Sequence, residues 1–106
     1  MHTIIVYGSL KKGRYNHSIL ESSEFVGDTT LTGTMYSLGA YPVLFKDGDD
    51  VYPAEIYRVP EHIYDGIVDM ERGAGYDVVE TPEGTVFYGG ERLKERCKTK
   101  EKILAY

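Results

Sequence analysis

Residues 31–59 read LTGTMYSLGAYPVLFKDGDDVYPAEIYRV. β-Branched and aromatic residues recur along this stretch, and its breaks fall at Gly39-Ala40 and at Asp47-Gly48-Asp49-Asp50, a turn-forming cluster. Residues 31–38 therefore read as a strand. Residues 41–45 read as an edge or irregular strand, because Pro42 has no N–H to give to a ladder. Residues 51–59 alternate imperfectly and stop at Pro60. Strands that follow one another with no helix between them indicate a largely antiparallel or mixed sheet.

The same reading extends outward. Residues 2–7, His-Thr-Ile-Ile-Val-Tyr, form a buried strand that stops at Gly8-Ser9-Leu10-Lys11-Lys12-Gly13. Asn16 is placed to cap a short helix carrying Ile19 and Leu20. Residues 25–26 are strand material cut off by Gly27-Asp28. Residues 61–71 carry helical periodicity, and Gly73-Ala74-Gly75 ends that helix. Residues 76–80 and 85–88 make a hairpin across Pro82-Glu83-Gly84. The expectation is an α+β fold of six or seven short strands, mixed but mostly antiparallel, curled into a small β-barrel with flanking helices. Strands and helices do not alternate as a doubly wound nucleotide fold requires.

The chain has 106 residues, enough for one core, so a single domain over residues 1–106 is expected. No apolar run approaches the roughly 20 residues that cross a bilayer, and no basic region or cleavage site flanks the first strand. The one cysteine, Cys97, rules out an internal disulfide and any zinc site of several thiolates. These features lead us to expect a cytoplasmic protein without a membrane partner. The formal charge is −5, unevenly spread: residues 91–102 hold six Lys/Arg and three Glu. The acidic remainder does not suit a nucleic-acid binder, and residues 91–106 are expected to be a charged tail of undetermined structure, either a solvated end or a mixed-charge helix face.

Two places carry chemistry. In the helix, Ile63, Tyr64, Ile67, Val68 and Met70 gather on one arc, opposite Glu61, His62, Asp65 and Asp69. Glu71 falls inside the apolar arc, at roughly 80° from Ile63. Burial there would raise its pKa toward neutrality, as an acid/base group needs. In the loop after the first strand, a glycine directly behind a buried strand would present free N–H groups to an anion or a carbonyl oxygen. Gly8 and Gly13 have Walker A spacing, but Arg14-Tyr15 follows where Lys and Ser/Thr would have to stand. His2, His17 and His62 show no ligand spacing, so no metal is expected.

Tyr7-Gly8-Ser9-Leu10-Lys11-Lys12-Gly13, with Asn16-His17 behind it, resembles the opening signature of the γ-glutamylcyclotransferase-like (AIG2-like) family. Val68-Asp69-Met70-Glu71, followed by Gly73 and Tyr76, resembles the second signature. Gly39-Ala40-Tyr41-Pro42 and Val51-Tyr52-Pro53-Ala54-Glu55-Ile56-Tyr57 resemble the middle strands, with Ala54 where members often carry Gly. The likeness spans about residues 3–88. It implies a small mixed barrel and an enzyme that releases an amine from a γ-glutamyl compound as 5-oxoproline, with no cofactor. Glu71 would be its acid/base and Tyr7, Gly8, Ser9 and Leu10 its γ-glutamyl cradle, with Tyr41 and Tyr76 as pocket walls. The alternative is a non-catalytic member of the same fold that binds small molecules.

Overall fold

The computed structural model describes residues 1–106. The elements run β1 (His2–Val6), a 3-10 turn (His17–Leu20), β2 (Glu24–Ser37), β3 (Pro42–Val59), α1 (Glu61–Gly73), β4 (Tyr76–Thr81), β5 (Gly84–Gly89) and α2 (Glu91–Cys97). The five strands form one sheet in the order β2-β3-β1-β5-β4. Every pairing is antiparallel except β1 with β5, where Ile4 faces Thr85 and Ile5 faces Val86. The α+β class and the mixed, mostly antiparallel sheet are thus as the sequence indicates.

Five strands replace the expected six or seven because two breaks are bulges. Gly27 does not end its strand: β2 runs through it with a register shift between Phe25 and Gly27. Asp47-Gly48-Asp49-Asp50 does not turn the chain back either. Thr34 pairs with Phe45 and Gly33 with Asp50, so residues 46–49 are extruded from an otherwise continuous β3. The Thr34 hydroxyl donates to the Asp47 carbonyl at 2.6 Å, and Gly48 takes φ 118, which suits a residue without Cβ.

The barrel is loose. β2 and β4 remain edge strands, and no ladder joins them. The first half of β3 instead lies against the end of β5, where a Cβ on Gly89 would meet Val43 and Phe45 at 2.5 Å. Beyond the end of β1, the Tyr7 hydroxyl links these two segments. It donates to the Phe87 carbonyl at 2.5 Å and accepts from the Leu44 N–H at 3.2 Å.

Strand alternation sends β1 side chains to two cores. Ile4 and Val6 join Val43, Tyr57, Val59, Ile67, Val68, Tyr76, Phe87 and Leu93 on the helix side. Ile5 and Tyr7 join Met35, Leu44, Tyr52, Ala54 and Val86 on the other. Of the two readings of the charged segment beyond residue 90, the structure shows the mixed-charge helix, α2, and not a solvated end. Leu93 and Cys97, four residues apart and so on one helix face, are buried in the first core. Ile103 then pairs with Met35 and accepts from the Tyr52 hydroxyl at 2.7 Å. No helix is long and apolar enough to cross a membrane.

Candidate active site

β1 ends at Val6, and the chain then turns through Gly8–Lys11, where Lys11 N–H donates to the Gly8 carbonyl at 3.0 Å. Gly8 is required for space rather than for unusual torsions. Its φ is not positive, but an added Cβ would meet Pro42 Cδ at 2.9 Å and Cγ at 3.0 Å. The proline ring cannot swing aside as a flexible side chain would. Gly8→Ala is therefore expected to destabilise the protein by about 1–3 kcal/mol and to push the turn off Pro42, seen as a lower thermal midpoint.

Asn16 does not cap the 3-10 turn, contrary to the sequence expectation. Its Nδ2 donates to Ser9 Oγ at 3.0 Å, and its N–H donates to the Ser9 carbonyl at 3.0 Å. Its side chain serves the preceding loop because an acceptor stands there. The Leu10 carbonyl takes a bond from His17 Nδ1 at 2.9 Å; a carbonyl can only accept, so Nδ1 carries the proton. Lys12 N–H donates to Glu55 Oε1 at 2.9 Å, and the Tyr57 hydroxyl donates to the same oxygen at 2.9 Å. The carbonyls of Gly8, Ser9 and Leu10 are all held, while the N–H groups of Ser9 and Leu10 donate to nothing in the protein. These two spare donors sit beside a cavity.

That cavity, about 270 Å³, is bordered by every residue singled out from the sequence: Tyr7, Gly8, Ser9, Leu10, Tyr41, Glu71 and Tyr76. Sequence reasoning did not name Pro42 and Phe87, which are buried in its walls, or Tyr15, Met70 and Ala74, which are exposed at its rim. Met70, placed on the apolar arc of α1, is 37% exposed. It lies next to Glu71 on the last turn, where the helix face passes from the core to the cavity mouth. A signal for it was present: it directly precedes the candidate carboxylate.

Glu71 is half-buried and is the only charged residue bordering the cavity. Burial pushes its carboxyl from 4.5 up to about 7, and no cation opposes the shift. At neutral pH the group is therefore divided between acid and base forms. Tyr76 donates its hydroxyl to the Pro42 carbonyl at 2.6 Å, as Tyr7 does to Phe87. Burial first, and then neighbouring groups that include Glu71, hold both phenols well above their usual range. Both hydroxyls are engaged by backbone and present ring surface to the cavity. The Tyr41 hydroxyl has no partner in the protein. Among the side chains there is no cluster of His, Cys, Asp or Glu that could hold a metal ion.

The fold is that of a small α+β protein with an open mixed sheet, and a lone, half-buried carboxyl stands beside spare backbone donors at the end of its central strand. The family model "Gamma-glutamyl cyclotransferase, AIG2-like" matches residues 4–102, and the chain belongs to that family. The match reaches past residue 88, where the resemblance read from the sequence motifs stops, and takes in α2. A Vibrio cholerae protein named "Putative gamma-glutamylcyclotransferase" is 36% identical over 91 residues, covering 81% of this chain and 78% of its own length. A Pyrococcus horikoshii protein named in the same way is 32% identical over 101 residues, covering 91% of this chain and 86% of its own. The solution structure of ytfP from Escherichia coli superposes with a TM-score of 0.71 at 25% identity, covering 97% of this chain and 92% of that one.

Proposed function

We propose that this protein is a γ-glutamylcyclotransferase that needs no cofactor. The α-amine of a γ-glutamyl compound attacks the γ-carbonyl of the same molecule. A C–N bond closes a five-membered ring, the bond to the attached amine breaks, and 5-oxoproline and the free amine leave. The nucleophilic nitrogen must lose a proton and the departing nitrogen must gain one. Glu71 takes the first and returns it to the second, a balance that consumes neither water nor a redox equivalent. The spare Ser9 and Leu10 amides hold the substrate carboxylate or the oxygen that gains charge at the γ-carbon. Tyr7, Tyr41 and Tyr76, with Pro42 and Phe87, form walls that keep the chain curled for attack.

One observation carries this reading: a carboxyl raised by burial to about 7 borders the same cavity as two unpaired amides. Incubation with a γ-glutamyl amino acid, a γ-glutamylamine and a γ-glutamyl isopeptide, followed by assay for 5-oxoproline, tests it. Product is expected from at least one class and from none of the α-N-acetylated counterparts, whose nucleophile is blocked. Ligand binding with no product from any of the three would identify a binding protein instead.

A further inference from the structure

Two peptide planes carry the spare amides. The Ser9 N–H belongs to the Gly8–Ser9 peptide, whose carbonyl accepts from Lys11 N–H at 3.0 Å. The Leu10 N–H belongs to the Ser9–Leu10 peptide, whose carbonyl accepts from Asn16 N–H at 3.0 Å. Each plane is held by its oxygen, which fixes where its nitrogen points. The peptide that supplies the Lys11 N–H has its own carbonyl, that of Leu10, and this one is held by His17 Nδ1 at 2.9 Å. The hydrogen bonds thus run in series. His17 donates to Leu10 C=O, Lys11 N–H donates to Gly8 C=O, and the Ser9 N–H stands at the free end. Bonds in such a series polarise one another, making the last donor stronger than an isolated amide.

We propose that His17 is a positioning residue that orients and polarises the Ser9 amide as a carboxylate-binding donor without touching the ligand. The inference rests on the reading of this loop as the γ-glutamyl cradle. His17 does not border the cavity, and its ring packs 5.8 Å from that of Tyr57. Its imidazole is held in place by that packing and by the Leu10 bond. Asn16 performs the parallel task for the Leu10 amide, but through its backbone, so substitution of its side chain would not test that bond. His17 is the member of the series that a side-chain replacement reaches.

The experiment uses ¹⁵N-labelled protein titrated with 5-oxoproline, whose carboxylate is the probe. In the unaltered protein the Ser9 and Leu10 amide protons are expected to move downfield and saturate. His17→Leu keeps bulk and removes the donor; His17→Asn places an amide N–H where imidazole Nδ1 lies; His17→Gln sets that N–H one bond further out. His17→Leu and His17→Gln are expected to weaken 5-oxoproline binding, and kcat/KM for a γ-glutamyl substrate, by about 10-fold, with His17→Asn within about 3-fold of the unaltered protein. If His17→Leu does not fold, the contrast between the Asn and Gln variants carries the same test. Packing against Tyr57 alone would leave Asn no better than Gln, and that result overturns the proposal. So does a titration that leaves the Ser9 and Leu10 amides unmoved. Shifts at both amides without any 5-oxoproline production would instead remove the catalytic reading and leave the positioning role standing.

Discussion

Glu71→Gln is expected to lower turnover by about 10²–10⁴-fold and, above neutral pH, to make the protein more stable. The amide keeps the shape of the carboxyl and cannot carry the proton that the proposed mechanism moves between the two nitrogens. The stability gain follows from the same burial that suits the group to its task. A carboxyl raised from 4.5 to about 7 binds its proton more tightly in the folded chain than in the unfolded one. Its favourable contribution is fully present below pH 4.5, declines as the pH climbs to about 7, and is absent beyond. Glutamine mimics the neutral form at every pH. Because Glu71 is only half-buried, solvent screening reduces the penalty, and the variant should gain on the order of 1–2 kcal/mol at pH 8. Thermal unfolding of both proteins at pH 4.5 and pH 8 should show the difference at the higher pH alone. The same shift at both pH values would mean that the carboxyl is not desolvated. Near-normal release of 5-oxoproline would remove Glu71 from the mechanism.

Tyr7→Phe should cost about 2–4 kcal/mol and lower the thermal midpoint by about 10 °C or more. The hydroxyl bridges the first half of β3 to β5 by hydrogen bonds at the point where β1 stops. It gives its proton to the Phe87 carbonyl and receives one from the Leu44 N–H. Tyr7 and Leu44 are buried, so removing the oxygen leaves a buried backbone donor without a partner. Tyr41→Phe is the control. Its hydroxyl bonds no protein group, and the variant's stability should stay within about 0.5 kcal/mol of the parent. Equal behaviour of the two variants would show that the Tyr7 bridge contributes nothing to the fold.

The placement of Glu71 was legible because a helix turns a spacing of four and eight residues into a direction. The loop was legible through its likeness to the family signature, since a glycine directly behind an apolar strand serves a plain turn equally well. What the hydroxyls of Tyr7 and Tyr76 do was not legible. Their partners, Phe87 and Pro42, lie 80 and 34 residues away, and only the assembled sheet brings them near. Strand count failed for a related reason. Gly27 and the 46–49 segment have the composition of turns, yet a bulge and a turn draw on the same residues. Only the register of the partner strand decides between them. The segment beyond residue 90 was obscured by its charge. The pair Leu93 and Cys97, between Gly90 and Lys98, was the available sign that one face of it is buried.

The central strand has consequences for how the molecule comes into being. β1 is flanked by residues 55–59 on one side and 85–86 on the other, so its second neighbour is supplied some eighty positions downstream. Closing such a distant pairing carries a loop-entropy cost before any contact compensates for it. On a ribosome, the first strand emerges long before its parallel neighbour exists. The cavity at its end is consequently among the last parts to mature, and the protein should fold more slowly than a helical bundle of equal length.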